Sequence, residues 1–195
     1  MDLDDCIENF FLCHSITNKK HSLTHNIFLI GFMGSGKSYW GRIWAKETGF
    51  SFFDLDEEIE KTLGMSIEKI FEKYGEKKFR KMEREHLRKF DNVHKNLVAS
   101  GGGTPCFFDN IEWMKEHGKV IYLKATPKNI LERVMDEKNK RPLLKKINPA
   151  ELLFFIENKL AEREPFYLKA DYIFDVTELN EQSLNLLQKP SKQKD

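Results

Sequence analysis

Cysteine is scarce in this chain: 3 of 195 residues, Cys6, Cys13 and Cys106, an odd number without C-x-x-C spacing. That excludes a disulfide framework and a cysteine zinc site, and fits thiols kept reduced. No apolar run approaches the ~18 residues a membrane-spanning helix needs, so no membrane partner is expected. An excess of one charge sign is missing too. With 32 Lys and Arg against 31 Asp and Glu the net charge is +1, which gives neither a basic field for nucleic acid nor an acidic tail. The N-terminus reads Met1-Asp-Leu-Asp-Asp5, acidic where a secretory leader is positive, and the expected location is the cytoplasm. Internal repeats are absent.

The 40% hydrophobic content can fill one sizeable core but hardly two. Residues 1–25 carry Ile7, Phe10, Phe11 and Leu12 among polar residues with no sustained period. They read as an N-terminal extension, either outside the core or forming a short helix on it. Residues 26–188 read as the domain and 189–195 as a polar tail. Within the domain, β-like runs at Ile27–Ile30, Phe50–Asp54, Leu97–Ser100, Val120–Leu123 and Tyr172–Val176 alternate with helical segments. This predicts an α/β fold of three layers, a parallel sheet flanked by helices. Helix starts are signalled at Thr126-Pro127, at Asn148-Pro149 and at Ser66, whose helix carries Ile67, Ile70 and Phe71 and is expected to end at Gly75.

Directly after the first strand stands Gly31-Phe-Met-Gly34-Ser35-Gly36-Lys37-Ser38, a complete G-x-x-x-x-G-K-[ST] loop. Its glycines let backbone N–H groups turn toward phosphate oxygens, and the next helix starts with its positive end facing them. Gly34, Ser35, Gly36, Lys37, Ser38 and Tyr39 are therefore expected at ATP, with Lys37 on the outer phosphates and Ser38 on Mg²⁺. Asp54 and Asp56 end the second strand and open the Asp56–Thr62 helix, where one acid can hold a water of the metal shell and the other can meet an acceptor hydroxyl. Asp56 as a plain helix cap is the competing reading. Arg80, beside Phe79 in a charged helix, suits an anion clamp. The run Gly101-Gly102-Gly103 after a β-run permits close backbone approach to a ligand. The basic segment Lys138–Lys146 holds Arg141, which could close over the transferred group or simply be solvated. Arg163 sits before Pro165 near a helix end, where cations are favoured anyway.

In this order, Gly31–Ser38, Asp54-x-Asp56, Ser66 to Gly75-Glu76, Phe79-Arg80-x-x-Glu83-x-Glu85, Gly101–Gly103, Arg141-Pro-Leu-Leu144 and Arg163-x-Pro165-x-Tyr167 resemble the shikimate kinase family, from about Asn26 to Tyr167. The resemblance implies a P-loop kinase fold of the nucleoside-monophosphate-kinase type, with an acceptor-binding region about 57–90 and a lid about 138–146. It implies ATP- and Mg²⁺-dependent phosphorylation of the shikimate 3-hydroxyl on the route to aromatic amino acids. Lys37, Asp56 and Arg141 would carry catalysis, Ser38 and Asp54 the metal, and Arg80, Gly101, Gly102, Gly103 and Arg163, with Asp56, the acceptor. Shikimate and ATP would be the partners of a monomeric enzyme. The stretch Arg133–Lys140 is longer than the family spacing, so the adenine contact stays open, Arg133 being one candidate. A kinase for another hydroxylated acid such as gluconate, and a silent nucleotide-binding module, are the rivals.

Overall fold

The computed structural model describes residues 25–91, 95–138 and 148–188. The expected extension up to residue 24, the tail from 189 and the segment 139–147 with Arg141 lie outside them. Five strands form one sheet, β1 (Asn26–Ile30), β2 (Ser51–Asp54), β3 (Asn96–Ala99), β4 (Gly118–Lys124) and β5 (Tyr172–Asp175), in the order β2-β3-β1-β4-β5 with every pairing parallel. Each predicted strand is present, with ends shifted by one or two residues. β4 gains Gly118 and Lys119 because they pair with Asn26 and Ile27.

The helices are α1 (Lys37–Thr48), α2 (Leu55–Leu63), α3 (Ile67–Arg88), α4 (Asn110–His117), α5 (Pro127–Lys138) and α6 (Pro149–Tyr167). The chain steps one way along the sheet from β1 to β2 and the other way from β3 to β4. Right-handed crossovers then place the helices on opposite faces. β1, central in the sheet, is buried along its whole length, as a strand covered on both sides must be. Trp44 of α1, fully buried, packs on Phe174 of β5, while Trp113 of α4 meets Phe28 of β1 edge-on. These contacts tie a helical layer to each face of the sheet.

The helix-start signals operate as expected. Thr126 Oγ1 accepts from Asn129 N at 3.2 Å, Asn148 Oδ1 from Ala150 N at 3.0 Å, and Ser66 Oγ from Lys69 N at 3.4 Å. Gly75 (φ 73, ψ 166) breaks the helical backbone as expected, and a second helical stretch follows at once and runs to Arg88, so that the two meet at a kink. One expectation needs correction. The helix after β2 begins at Leu55, and its cap is Asp54, whose side chain accepts from Asp56 N at 3.1 Å. The capping role weighed for Asp56 thus falls on its neighbour, and the Asp56 carboxylate is free for other work.

Candidate active site

The P-loop leaves β1 at its carboxyl end, and Gly34 (φ 74) and Gly36 (φ 90) take the left-handed backbone that lets it curl back. Gly36 is also the N-cap of α1, and no side chain caps that helix. Its first backbone donors are therefore offered to an anion instead. Lys37 is buried, and its Nζ donates to the carbonyls of Gly31 and Phe32, both at 2.9 Å. Burial lowers its ammonium to about 8, against the pull of Asp56 and Asp54. Ser35 is fully buried, whereas Tyr39 points to solvent and meets Trp40 edge-on. Arg133 reaches over the loop from α5 and donates to the Gly34 carbonyl at 3.1 Å.

Ser38 Oγ donates to Asp54 Oδ2 at 2.5 Å. A hydroxyl and a carboxylate side by side below the phosphate loop are hard oxygen donors of the kind Mg²⁺ takes, so these residues fit that ion. Asp56, two residues further, is partly buried, and its carboxyl is raised to about 6 by burial and by the nearby Glu83 and Asp54 charges, with Lys37 pulling the other way.

The glycine run lines the site beside both Asp56 and the P-loop. A Cβ on Gly101 would lie 2.8 Å from Glu83 Oε1, 2.9 Å from Asp56 Oδ1 and 2.9 Å from Thr104 Oγ1. One on Gly102 would lie 3.4 Å from Arg163 Nη1, and one on Gly103 only 2.7 Å from Arg80 Nη1. The backbone itself thus brings Asp56, Arg80 and Arg163 together, three residues read from the sequence on three separate segments. Gly103→Ala is expected to push the Arg80 guanidinium aside and weaken binding of an anionic acceptor by about tenfold, with nucleotide affinity unchanged; titration calorimetry of both ligands checks it.

Arg80 is 7% exposed. Its Nη1 donates to Glu83 Oε2 at 2.6 Å, its Nη2 and Nε to Glu76 Oε1 at 2.9 and 3.2 Å, and its guanidinium lies 4.3 Å from the Phe107 ring centre. Arg163 is 5.4 Å from the centre of the Phe32 ring. It falls on the inward face of α6 set by Leu152, Ile156, Leu160 and Tyr167. Tyr167 in turn donates to the Gly102 carbonyl at 2.5 Å.

Glu83, Thr104 and Tyr167 were not among the expected site residues. Glu83 stands three residues after Arg80, a spacing that pairs charges on one helix face. Nothing in the local sequence points to Thr104. Cys106, the one free cysteine among the described residues, lies near the glycine run, where burial pushes its thiol up to about 11. No group of three or more His, Cys, Asp or Glu among the described residues could by itself hold a metal.

A P-loop at the end of the central strand, an acid facing it and two arginines behind a glycine wall define a P-loop kinase for a small acidic acceptor. A family model described as shikimate kinase matches residues 33–189. The shikimate kinase of Phocaeicola vulgatus is 40% identical over 155 residues, 80% of this chain and 89% of that protein. That of Caldanaerobacter subterraneus is 42% identical over 153 residues, 78% and 87% of the two chains. Among solved structures, shikimate kinase from Bacteroides thetaiotaomicron superposes with a TM-score of 0.79 at 36% identity, covering 85% of this chain and 97% of that one. The Acinetobacter baumannii shikimate kinase in complex with shikimate gives 0.73 at 36% identity, covering 87% and 94%. The chain belongs to the shikimate kinase family.

Proposed function

We propose that this site transfers the γ-phosphoryl group of ATP to the 3-hydroxyl of shikimate, giving shikimate 3-phosphate and ADP. The observation that carries the reading is the convergence of Asp56, Arg80 and Arg163 on the backbone of Gly101–Gly103, beside the uncapped N-terminus of α1. Groups of opposite character are needed at the two ends of such a substrate: a carboxylate to accept from its hydroxyls and guanidinium forks to donate to its carboxylate.

In this reading the backbone N–H groups of Gly34, Ser35, Gly36 and the following turn hold the β-phosphate, that of Ser35 leaving the Phe32 carbonyl it meets at 3.2 Å, with Tyr39 and Arg133 toward the nucleoside. Lys37 leaves the Gly31 and Phe32 carbonyls to meet the β- and γ-phosphates. Ser38 and Asp54 would hold Mg²⁺, which would supply charge neutralisation on the phosphates. Asp56 orients the acceptor hydroxyl and takes its proton as the new O–P bond forms. Glu83 keeps the Arg80 fork in place, and Gly101, Gly102 and Gly103 line the acceptor. Arg141, in a lid about 138–146, acts on the transferred group by the role its sequence motif implies. The kinase unit spans 26–188, with the acceptor region about 57–90. The enzyme acts as a monomer on small molecules in the cytoplasm, without nucleic-acid or membrane partners; among the described residues no helix is long and apolar enough to cross a membrane.

ADP release with shikimate, quinate, gluconate and nucleoside monophosphates as acceptors tests the assignment; preference for any acceptor over shikimate overturns it. Arg80→Lys and Arg163→Lys are each expected to weaken shikimate binding about 10- to 150-fold, the worth of a lost charge-assisted contact of about 1.5–3 kcal/mol. ATP affinity, measured separately by calorimetry, should stay near wild type. Equal loss of ATP affinity would remove that arginine from the acceptor site.

A further inference from the structure

Thr104 follows the glycine run directly and is fully buried. Its backbone is held on both sides: its N–H donates to the Gly101 carbonyl at 3.1 Å, and its own carbonyl accepts from Nδ2 of the fully buried Asn110 at 2.9 Å. The hydroxyl therefore starts from a fixed point. It donates to Glu83 Oε1 at 2.7 Å, while the other oxygen of that carboxylate, Oε2, accepts from Arg80 Nη1 at 2.6 Å. Glu83 is 1% exposed. Each of its oxygens has one protein donor, and two anchored points fix the plane of the carboxylate.

The partners of Arg80 are unequal. Glu83 is buried, but the Glu76 side chain, which takes the Nε and Nη2 edge, is 58% exposed. An exposed pair is worth little and exchanges easily. The Nε and Nη2 edge is thus the one an incoming carboxylate can take over, provided that Nη1 stays where Glu83 holds it. We infer that Thr104 is a positioning residue for the acceptor carboxylate, acting through Glu83 on the Arg80 fork. The inference rests on the shikimate reading above.

The chemistry requires a hydroxyl here. Without the donor, Glu83 Oε1 is a buried acceptor left unpaired near Asp56 Oδ1, since both oxygens crowd Gly101. A buried group deprived of its partner seeks another. Glu83 then turns its free oxygen toward Arg80, and the guanidinium follows it away from Gly103.

The test compares Thr104→Val, Thr104→Ser, Arg80→Lys and the double variant Thr104→Val/Arg80→Lys with the wild type, in steady-state kinetics for both substrates and in melting curves. Thr104→Val is expected to raise the shikimate KM roughly 5- to 20-fold, with kcat and the ATP KM within about twofold. Thr104→Ser, which keeps the donor, should restore most of the affinity. In the Arg80→Lys background the valine should add little, because both changes act on one contact. Thr104→Ala removes the same donor without filling the space, and replaces valine in the comparison if valine misfolds. A shikimate KM unmoved by valine or alanine, a parallel rise in the ATP KM, full additivity with Arg80→Lys, or failure of serine to rescue would each overturn the inference while leaving the substrate assignment intact. A wild type inactive on shikimate would overturn the assignment, and the inference with it.

Discussion

Asp56→Asn will lower shikimate turnover by about 10²-fold or more, the usual worth of a positioned general base. It will do so without damaging the fold. The carboxyl is raised from 3.8 to about 6 by burial, with Glu83 and Asp54 adding to it. A proton is therefore held more tightly in the folded state than in the unfolded one. The stability this gives is full below the unfolded value and is lost as pH rises through about 6, so at pH 7 the ionised Asp56 is a net cost to the fold. Asparagine removes that cost. The variant should melt a few degrees higher than wild type at pH 7, and the gain should vanish near pH 4. The sign for activity is opposite: only the ionised carboxylate can accept the hydroxyl proton. Wild-type kcat/KM should fall on the acid side with a midpoint near the free-enzyme value of about 6, and the residual activity of the asparagine variant should lack that limb. Near-normal turnover in Asp56→Asn, or an acid limb that survives it, would reduce Asp56 to an electrostatic neighbour of Asp54.

How much of this could be read from the residues depends on how local each signal is. The P-loop was legible because its function is backbone geometry written in consecutive residues, with a β-branched and aromatic strand before it and a helix after it. The strands were found by apolar runs, but their ends are set by pairing with neighbours far along the chain, as Gly118 opposite Asn26 shows. Asp54 and Asp56 were found as a pair, but the capping role weighed for Asp56 belongs to Asp54 two residues earlier, because the helix already starts at Leu55. Gly75 was recognised as a breaker, but the next segment also had helical character, so the result is a kink. Arg163 could have been placed on the inward face by continuing the Leu152, Ile156, Leu160 stripe one more turn. The contact between Glu83 and Thr104 joins the middle of α3 to a short turn after β3. No local pattern announces such a pair, because only the fold brings the two segments together.

Lys37→Met should also lower turnover by about 10²-fold or more, as expected when a charge aimed at the transferred phosphoryl group is removed. The lysine is held ready rather than free: its Nζ rests on the Gly31 and Phe32 carbonyls, and burial lowers it to about 8. Phosphate oxygens offer a full negative charge in place of those two neutral acceptors, so the ammonium has reason to move when ATP arrives. Methionine keeps the length and the apolar stem but cannot follow. Both kcat and ATP affinity should drop, while shikimate affinity measured without nucleotide stays within a few-fold, because Arg80 and Arg163 are untouched. A second readout tests the electrostatics. Lys37 is the charge that holds the Asp56 value down, so in Lys37→Met the acid limb of the remaining activity should move to higher pH than in wild type. An acid limb that stays in place would mean that Lys37 and Asp56 do not sense each other across the site. Retention of ATP affinity together with full turnover would remove Lys37 from the phosphate site altogether.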